Sequence, residues 1–185
     1  MSDSLVHGDD GRARCWWAGP APEYVAYHDT EWGRPVRDDR RLYEKLTLEA
    51  FQSGLAWITI LRKREAFRAA FDGFEIERVA RYGEQDVARL MADAGIVRNR
   101  AKIEAAIANA RAALDIDLTA LIWSFAPDPR PRPRSRADVR ASTPESVALA
   151  KALKRAGLRL VGPTTAYALM QACGLVDDHI EGCHV

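Results

Sequence analysis

Residues 158–165 read Leu158-Arg159-Leu160-Val161-Gly162-Pro163-Thr164-Thr165, a short break between two helical segments, and its reading decides the fold. Upstream, Ser142-Thr143-Pro144-Glu145 has the form of a capping box with proline inside the first turn. The helix it opens runs to about Ala156 and stops at Gly157. Downstream, Pro163 begins a helix that closes at Gly174. Gly162 permits a tight turn, and the helix start leaves the backbone N–H groups of Thr164 and Thr165 without intrahelical partners. Such amides, together with the local dipole, attract phosphate oxygens. Lys154 and Arg159 stand close enough in sequence to add positive charge. The same stretch also reads as an ordinary αα-hairpin without a ligand.

Outward from this hairpin, helical periodicity dominates from about residue 38, and no convincing alternating strand is found. Residues 38–53 place Leu42, Leu46, Glu49, Ala50 and Ser53 on one arc, and Gly54 ends or bends the segment. Residues 57–71 repeat the pattern through Trp57, Ile60, Leu61, Phe67 and Phe71. Shorter helices are expected near 75–82 and 85–93. A clean stripe of Ile103, Ile107, Ala110 and Leu114 marks 98–114, and a further short helix covers 118–125. Between residues 126 and 136, prolines 127, 129, 131 and 133 interleave with arginines, which predicts an exposed extended loop over about 126–141. The expectation is one all-α domain over residues 14–185, with a flexible tail at residues 1–13.

A chain of 185 residues can bury one core. Its 27 Lys and Arg against 26 Asp and Glu give a net charge of +1, so any nucleic-acid contact must come from a local patch. Two candidates exist: Arg130, Arg132, Arg134, Arg136 and Arg140, and separately Lys151, Lys154, Arg155 and Arg159. Such runs also occur as solvated faces. No apolar run approaches a membrane span, and residues 1–14 lack the apolar stretch of a secretory signal. Three cysteines argue against a disulfide framework and for a reducing compartment, so a cytoplasmic protein is expected.

Two constellations carry chemistry. Cys15 and His28 near one end, with His179 and Cys183 near the other, make a donor set that suits tetrahedral Zn²⁺. The 150 residues between His28 and His179 would be closed into one loop. Closure of that length costs on the order of 5 kcal/mol, which the roughly 10–16 kcal/mol of a structural zinc ion offsets. Four unrelated polar residues remain the alternative. The second constellation centres on Glu49, a carboxylate on an otherwise apolar helix face. It needs a partner, either an arginine or a donor-rich, positively charged ligand. Trp16, Trp17, Tyr24, Tyr27 and Trp32 crowd 17 residues, and Trp57 follows. Core packing accounts for such density, and so does a cage for a flat cation.

Several blocks carry a resemblance: Arg14-Cys15 with Trp17; Tyr24 through Gly33; Leu48-Glu49-Ala50-Phe51-Gln52-Ser53-Gly54-Leu55-Ala56-Trp57-Ile58-Thr59; Asp93 through Arg100; Val161 through Thr165; and Met170 through His179. Together they span about residues 14–183 and resemble the 3-methyladenine DNA glycosylase I family of the helix-hairpin-helix DNA glycosylase superfamily. The resemblance implies a helix-hairpin-helix glycosylase fold and a structural zinc clasp made of Cys15, His28, His179 and Cys183. It also implies a base pocket built from Glu49, Tyr27 and Trp57, with Trp17, Tyr24 and Trp32 nearby. Glu49 and Tyr27 are the catalytic candidates. Gly162, Thr164, Thr165, Arg159 and Lys154 are the candidates for holding the DNA backbone. The implied partner is double-stranded alkylated DNA, from which a monomeric enzyme hydrolyses free 3-methyladenine and leaves an abasic site. A non-catalytic, zinc-stabilised module that binds damaged DNA is the rival reading, and the ligand spacing of zinc deaminases is absent. Asp178 is expected to orient His179. Ala50 and Ala56 stand where the family leads one to expect Gly and Ser, Trp16 replaces a commonly smaller residue, and the Pro/Arg loop is peculiar to this chain.

Overall fold

The computed structural model describes residues 4–185. Among them a short hairpin of β1 (Leu5–His7) and β2 (Ala13–Cys15) precedes nine α-helices. These are α1 (Pro22–Thr30), α2 (Asp39–Gln52), α3 (Trp57–Ala70), α4 (Ile76–Ala80), α5 (Glu84–Ala92), α6 (Arg100–Ala113), α7 (Leu118–Trp123), α8 (Pro144–Arg155) and α9 (Pro163–Ala172). Every helix read from periodicity is present. None of the described helices is long and apolar enough to cross a membrane.

The core forms around α2. Asp38 caps it by accepting a bond from the Arg41 amide at 2.9 Å, and Gly54, at φ +82°, turns the chain away after its end. Leu42, Tyr43, Leu46, Leu48 and Phe51 are buried against α3, α6, α7 and α9. Phe51, Phe67, Phe71 and Phe74 continue this core as a chain of edge-on and stacked rings. Polar side chains then fix the relative placement of helices. Tyr43 donates to the Ala106 carbonyl on α6 at 2.9 Å, and Asp39 accepts from the Thr119 amide on α7 at 2.8 Å.

Two expectations need correction, and one helix lies outside the periodicity. The tail is ordered from Ser4: β1 pairs antiparallel with β2 in the register Leu5 to Cys15, and buried Arg14 anchors it, so only residues 1–3 of that segment lie outside the described residues. The periodicity also gave no sign of α1. Its inward side chains are Tyr27 and His28 rather than aliphatics, so the apolar signal is weak. The cap of α8 is Thr143 with Ser146, one residue beyond the Ser142–Glu145 pair; the Ser146 amide bonds Thr143 Oγ1 and the Thr143 amide bonds Ser146 Oγ. Glu145 pairs with Arg130 instead.

Two glycines permit close crossings. Gly33 and Gly174 hold φ values of +81° and +74°. A Cβ on Gly174 would come within 2.7 Å of the Pro35 nitrogen, and one on Gly33 within 3.0 Å of His179 Nε2. The segment after α1 therefore lies flush on the end of α9, bonded from the Val36 amide to the Cys173 carbonyl at 3.1 Å.

The α8–α9 hairpin takes its shape from a conventional helix stop and one clamp. Gly157, at φ +97°, closes α8 with the Leu158 amide on the Leu153 carbonyl, a Schellman pattern. Asn109 of α6 is 1% exposed, and its side chain accepts from the Arg159 amide at 2.6 Å and donates to the Arg159 carbonyl at 3.0 Å. Replacing it removes both bonds from the Arg159 backbone and empties a buried side-chain position. Asn109→Ala should destabilise the protein by roughly 2–3 kcal/mol. Amide hydrogen exchange at Arg159 should accelerate while α2 amides keep their protection. Unchanged protection at Arg159 would rule out the clamp.

Candidate active cleft and metal cluster

The four donors from the two chain ends meet. Cys15 ends β2, His28 lies on α1, and His179 and Cys183 follow α9; all four are buried and their ligand atoms lie within 4.8 Å of one another. Cys183 Sγ lies 3.4 Å from His28 Nε2 and 3.7 Å from His179 Nδ1, and Cys15 Sγ lies 3.7 Å from His179 Nδ1. A tetrahedral ion bound at about 2.3 Å to sulfur and about 2.0 Å to nitrogen separates such donors by roughly 3.5 Å. The set therefore fits a metal ion. Electrostatics agree: burial holds both imidazoles toward the neutral, ligating form, His179 at about 4. Burial also pushes the Cys15 thiol up to about 12, so a thiolate there requires a cation beside it.

The surrounding residues orient this set. His28 Nδ1 bonds Asp29 at 2.8 Å, which leaves Nε2 facing the cluster. Arg14 forks onto both oxygens of Asp29, at 2.9 and 2.8 Å, and these hydrogen bonds hold that carboxyl well below the usual carboxylate range. The Ile180 amide donates to Cys15 Sγ at 3.3 Å. Asp178 does not orient His179, contrary to expectation. It accepts from Tyr167 at 2.6 Å and Gln171 at 2.8 Å and faces the neighbouring cleft.

That cleft, about 290 Å³, is walled by Trp16, Trp17, Tyr24, Tyr27, Trp32 and Trp57 with Glu49 among them. The structure thus brings together all six residues proposed for base binding. The aromatic wall is also packed on the metal cluster. Trp17 lies edge-on to His28 at 5.1 Å and to Trp32 at 5.0 Å, and Trp32 meets His179 at 4.8 Å. Tyr24 accepts from the Ile58 amide at 2.9 Å, which fixes the first turn of α3 and with it Trp57. Gln52, Ala168, Gln171, Asp178, Val139 and Arg140 complete the lining. Gln52 falls one turn after Glu49 and could have been read from that spacing. Val139 and Arg140 arrive from the Pro/Arg loop, which periodicity cannot place.

Glu49 is 7% exposed, and its carboxylate makes no ion pair or hydrogen bond among the described residues. Desolvation pushes it up to about 7, with Lys45 opposing that rise. Tyr27, buried and close to Glu49, has its hydroxyl raised well above the usual phenol value and stays protonated. The indole N–H of Trp57 is buried without a partner. The cleft therefore offers an unpaired carboxyl group, two free donors and aromatic faces.

The two basic stretches differ sharply. In the Pro/Arg loop, Arg130 pairs with Glu145, Arg132 with Asp177 at 2.8 Å and Arg134 with Glu181 at 3.6 Å. Arg136 lies 5.5 Å over the Trp16 ring, and the Arg136 amide donates to Ser4 Oγ. The loop is exposed but pinned to both chain ends. At the α8–α9 hairpin, Lys154, Arg159, Gly162 and Thr164 are exposed, Thr165 is partly so, and neither Lys154 nor Arg159 forms an ion pair among the described residues. Seven residues along α9 from Thr164, about 10 Å of helix, Gln171 enters the cleft.

Comparisons with known proteins converge. A model of the methyladenine glycosylase family matches residues 17–185. DNA-3-methyladenine glycosylase 1 of Escherichia coli (strain K12) is 47% identical over 177 residues, 92% of this chain and 95% of that protein. A crystal structure of 3-methyladenine DNA glycosylase I superposes with a TM-score of 0.90 at 48% identity, covering 92% of this chain and 98% of that one. A variant of 3-methyladenine DNA glycosylase I in complex with 3-methyladenine superposes at 0.86 with 34% identity, covering 91% and 94%.

The state of Glu49 has a measurable signature. Its folded-state pKa lies above the ordinary value of 4.5, so the fold gains from the protonated form below that value. It loses the gain as pH rises through about 7. Glu49→Gln removes this dependence. Between pH 5 and pH 8 its stability relative to the wild type should rise by up to about 3 kcal/mol. Denaturant melts at the two pH values test this, and parallel curves would show that Glu49 is not strained by burial.

Proposed function

This chain belongs to the methyladenine glycosylase family, and from that membership we infer that it excises 3-methyladenine from alkylated DNA by hydrolysing the N-glycosidic bond. The observation that carries the reading is Glu49: a buried carboxylate with no protein cation bound to it, set in an aromatic-walled cleft. Methylation at N3 makes the attached adenine a cation. An unmodified adenine entering the cleft would gain only stacking, whereas the alkylated base also neutralises Glu49.

The residues divide the task as follows. Glu49 accepts hydrogen bonds from the adenine edge and attracts its charge. Trp57 stacks on the ring, where cation–π attraction contributes up to about 2 kcal/mol. The protonated Tyr27 hydroxyl donates the bond that fixes orientation. Trp17, Tyr24 and Trp32 close the remaining sides. Extruding the nucleotide costs a few kcal/mol, less for a damaged base. Departure from a cationic nucleotide yields a neutral base, so the enzyme need not protonate the leaving group. No lysine lines the cleft among the described residues, which supports hydrolysis without strand cleavage through a Schiff base.

The α8–α9 element serves as a helix-hairpin-helix grip on double-stranded DNA. Gly162, Thr164 and Thr165 present the turn and helix amides, and Arg159 and Lys154 supply free charge. Cys15, His28, His179 and Cys183 would hold a zinc ion. With four protein donors such an ion would keep no open position for water, so its part would be structural. That property separates this reading from a zinc hydrolase.

Chromatography of purines released from methylated duplex DNA tests the activity. Glu49→Gln should release 3-methyladenine on the order of 100-fold more slowly while keeping its fold and metal. A fully active Glu49→Gln enzyme would remove that residue from recognition.

The clasp has its own test. Cys183→Ser should lower zinc content measured by atomic emission. It should also cost at least about 3 kcal/mol, roughly 6–12 °C in Tm for a chain of this size. Stoichiometric zinc with an unchanged Tm would contradict the assignment.

A further inference from the structure

Lys45 presents a puzzle that the base pocket does not absorb. It is 8% exposed on α2, and burying an ammonium group is costly without compensation. Its partner is Glu31, with Nζ at 2.8 Å from Oε1. Glu31 is already held by Arg64, whose Nη1 lies 2.8 Å from both carboxylate oxygens. Lys45 is thus surplus to what Glu31 needs. The three side chains carry two cations and one anion, leaving one uncompensated positive charge.

That charge sits next to the cleft. Lys45 Nζ lies 5.7 Å and Arg64 Cζ 5.9 Å from the centroid of the Tyr27 ring, which lines the pocket. Lys45 also precedes Glu49 by four residues on α2, which places the two on one helix face with Cβ atoms about 6 Å apart. The group becomes neutral only when Glu49 is ionised.

We propose that Lys45 is a positioning residue for the reaction, its ammonium group holding Glu49 as the carboxylate that selects a cationic base. The proposal rests on Glu49 being the base selector. The other groups facing Glu49 do not substitute for Lys45. Tyr27 on α1 and Cys173 after α9 are held neutral by burial, Cys173 at about 12. Trp57 on α3 and Gln171 on α9 carry no charge. Arg64 is committed to Glu31, Asp178 is held by Tyr167 and Gln171, and Arg140 lines the cleft without pairing to Glu49.

The experiment follows the Glu49 carboxyl directly in the zinc-loaded full-length protein without DNA. Glutamate side chains are labelled with carbon-13 at Cδ, and the Glu49 signal is assigned by its loss in Glu49→Gln. In Lys45→Met the titration midpoint of that signal should rise by about one pH unit, because a neighbouring cation has been removed. The acid limb of 3-methyladenine excision should move upward by the same amount. Lys45→Arg should restore both. Arg64 still holds Glu31 in Lys45→Met, which favours a folded protein, and Lys45→Gln provides a second charge-free variant that keeps reach to Glu31. A midpoint unmoved in both charge-free variants overturns the proposal. If Glu49→Gln loses excision while the midpoint stays fixed, only the role of Lys45 falls. If Glu49→Gln excises normally, the base-selector reading falls with it.

Discussion

The two ends of this chain meet at four side chains, and the cleft depends on that meeting. Cys15 and His28 come from the N-terminal hairpin and α1, His179 and Cys183 from the segment after α9. Trp17 and Trp32 rest against the two histidines, and Tyr27 is the neighbour of His28 in sequence. Trp16 and Trp17 also pack with Leu5, Val139, Ile180 and Val185, and Trp57 packs on the main core. Placement of the aromatic wall comes further from the cluster, from the Arg14–Asp29 fork behind it, and from glycine crossings at Gly33 and Gly174. The metal cluster and the cleft are therefore adjacent but separate: one group of residues supports the walls, another lines the cleft.

Much of the site was legible in the sequence because its residues conflict with their settings. A carboxylate on an apolar helix face signals a need for a partner, and Glu49 is found buried without one. Thiols and imidazoles at both ends form a donor set, and their side chains do converge. Helices with aliphatic stripes were readable for the same reason that they pack. What escaped had no period. α1 turns tyrosine and histidine inward, and the N-terminal hairpin offers strands of three residues each, too short to alternate visibly.

The basic patches show why composition alone misleads. The arginine-rich stretch at 126–141 looks the stronger candidate for binding DNA, yet three of its arginines meet an acid from elsewhere in the chain. That loop behaves as a strap joining both termini and lends Val139 and Arg140 to the cleft. The hairpin at 158–165 has fewer charges, but these are free, and a buried amide from α6 sets its backbone. Pairing could not be read from the sequence because the acids lie up to 47 residues away, as Glu181 does from Arg134.

Helix α9 begins at the hairpin and runs into the cleft. It is therefore a ruler of fixed length, about two turns between the amides that would hold a strand and the side chains that would meet its base. A nucleobase still stacked in the duplex would not span that interval. Discrimination would thus begin with distance: only nucleotides willing to leave the helix would be presented to the chemistry that inspects them.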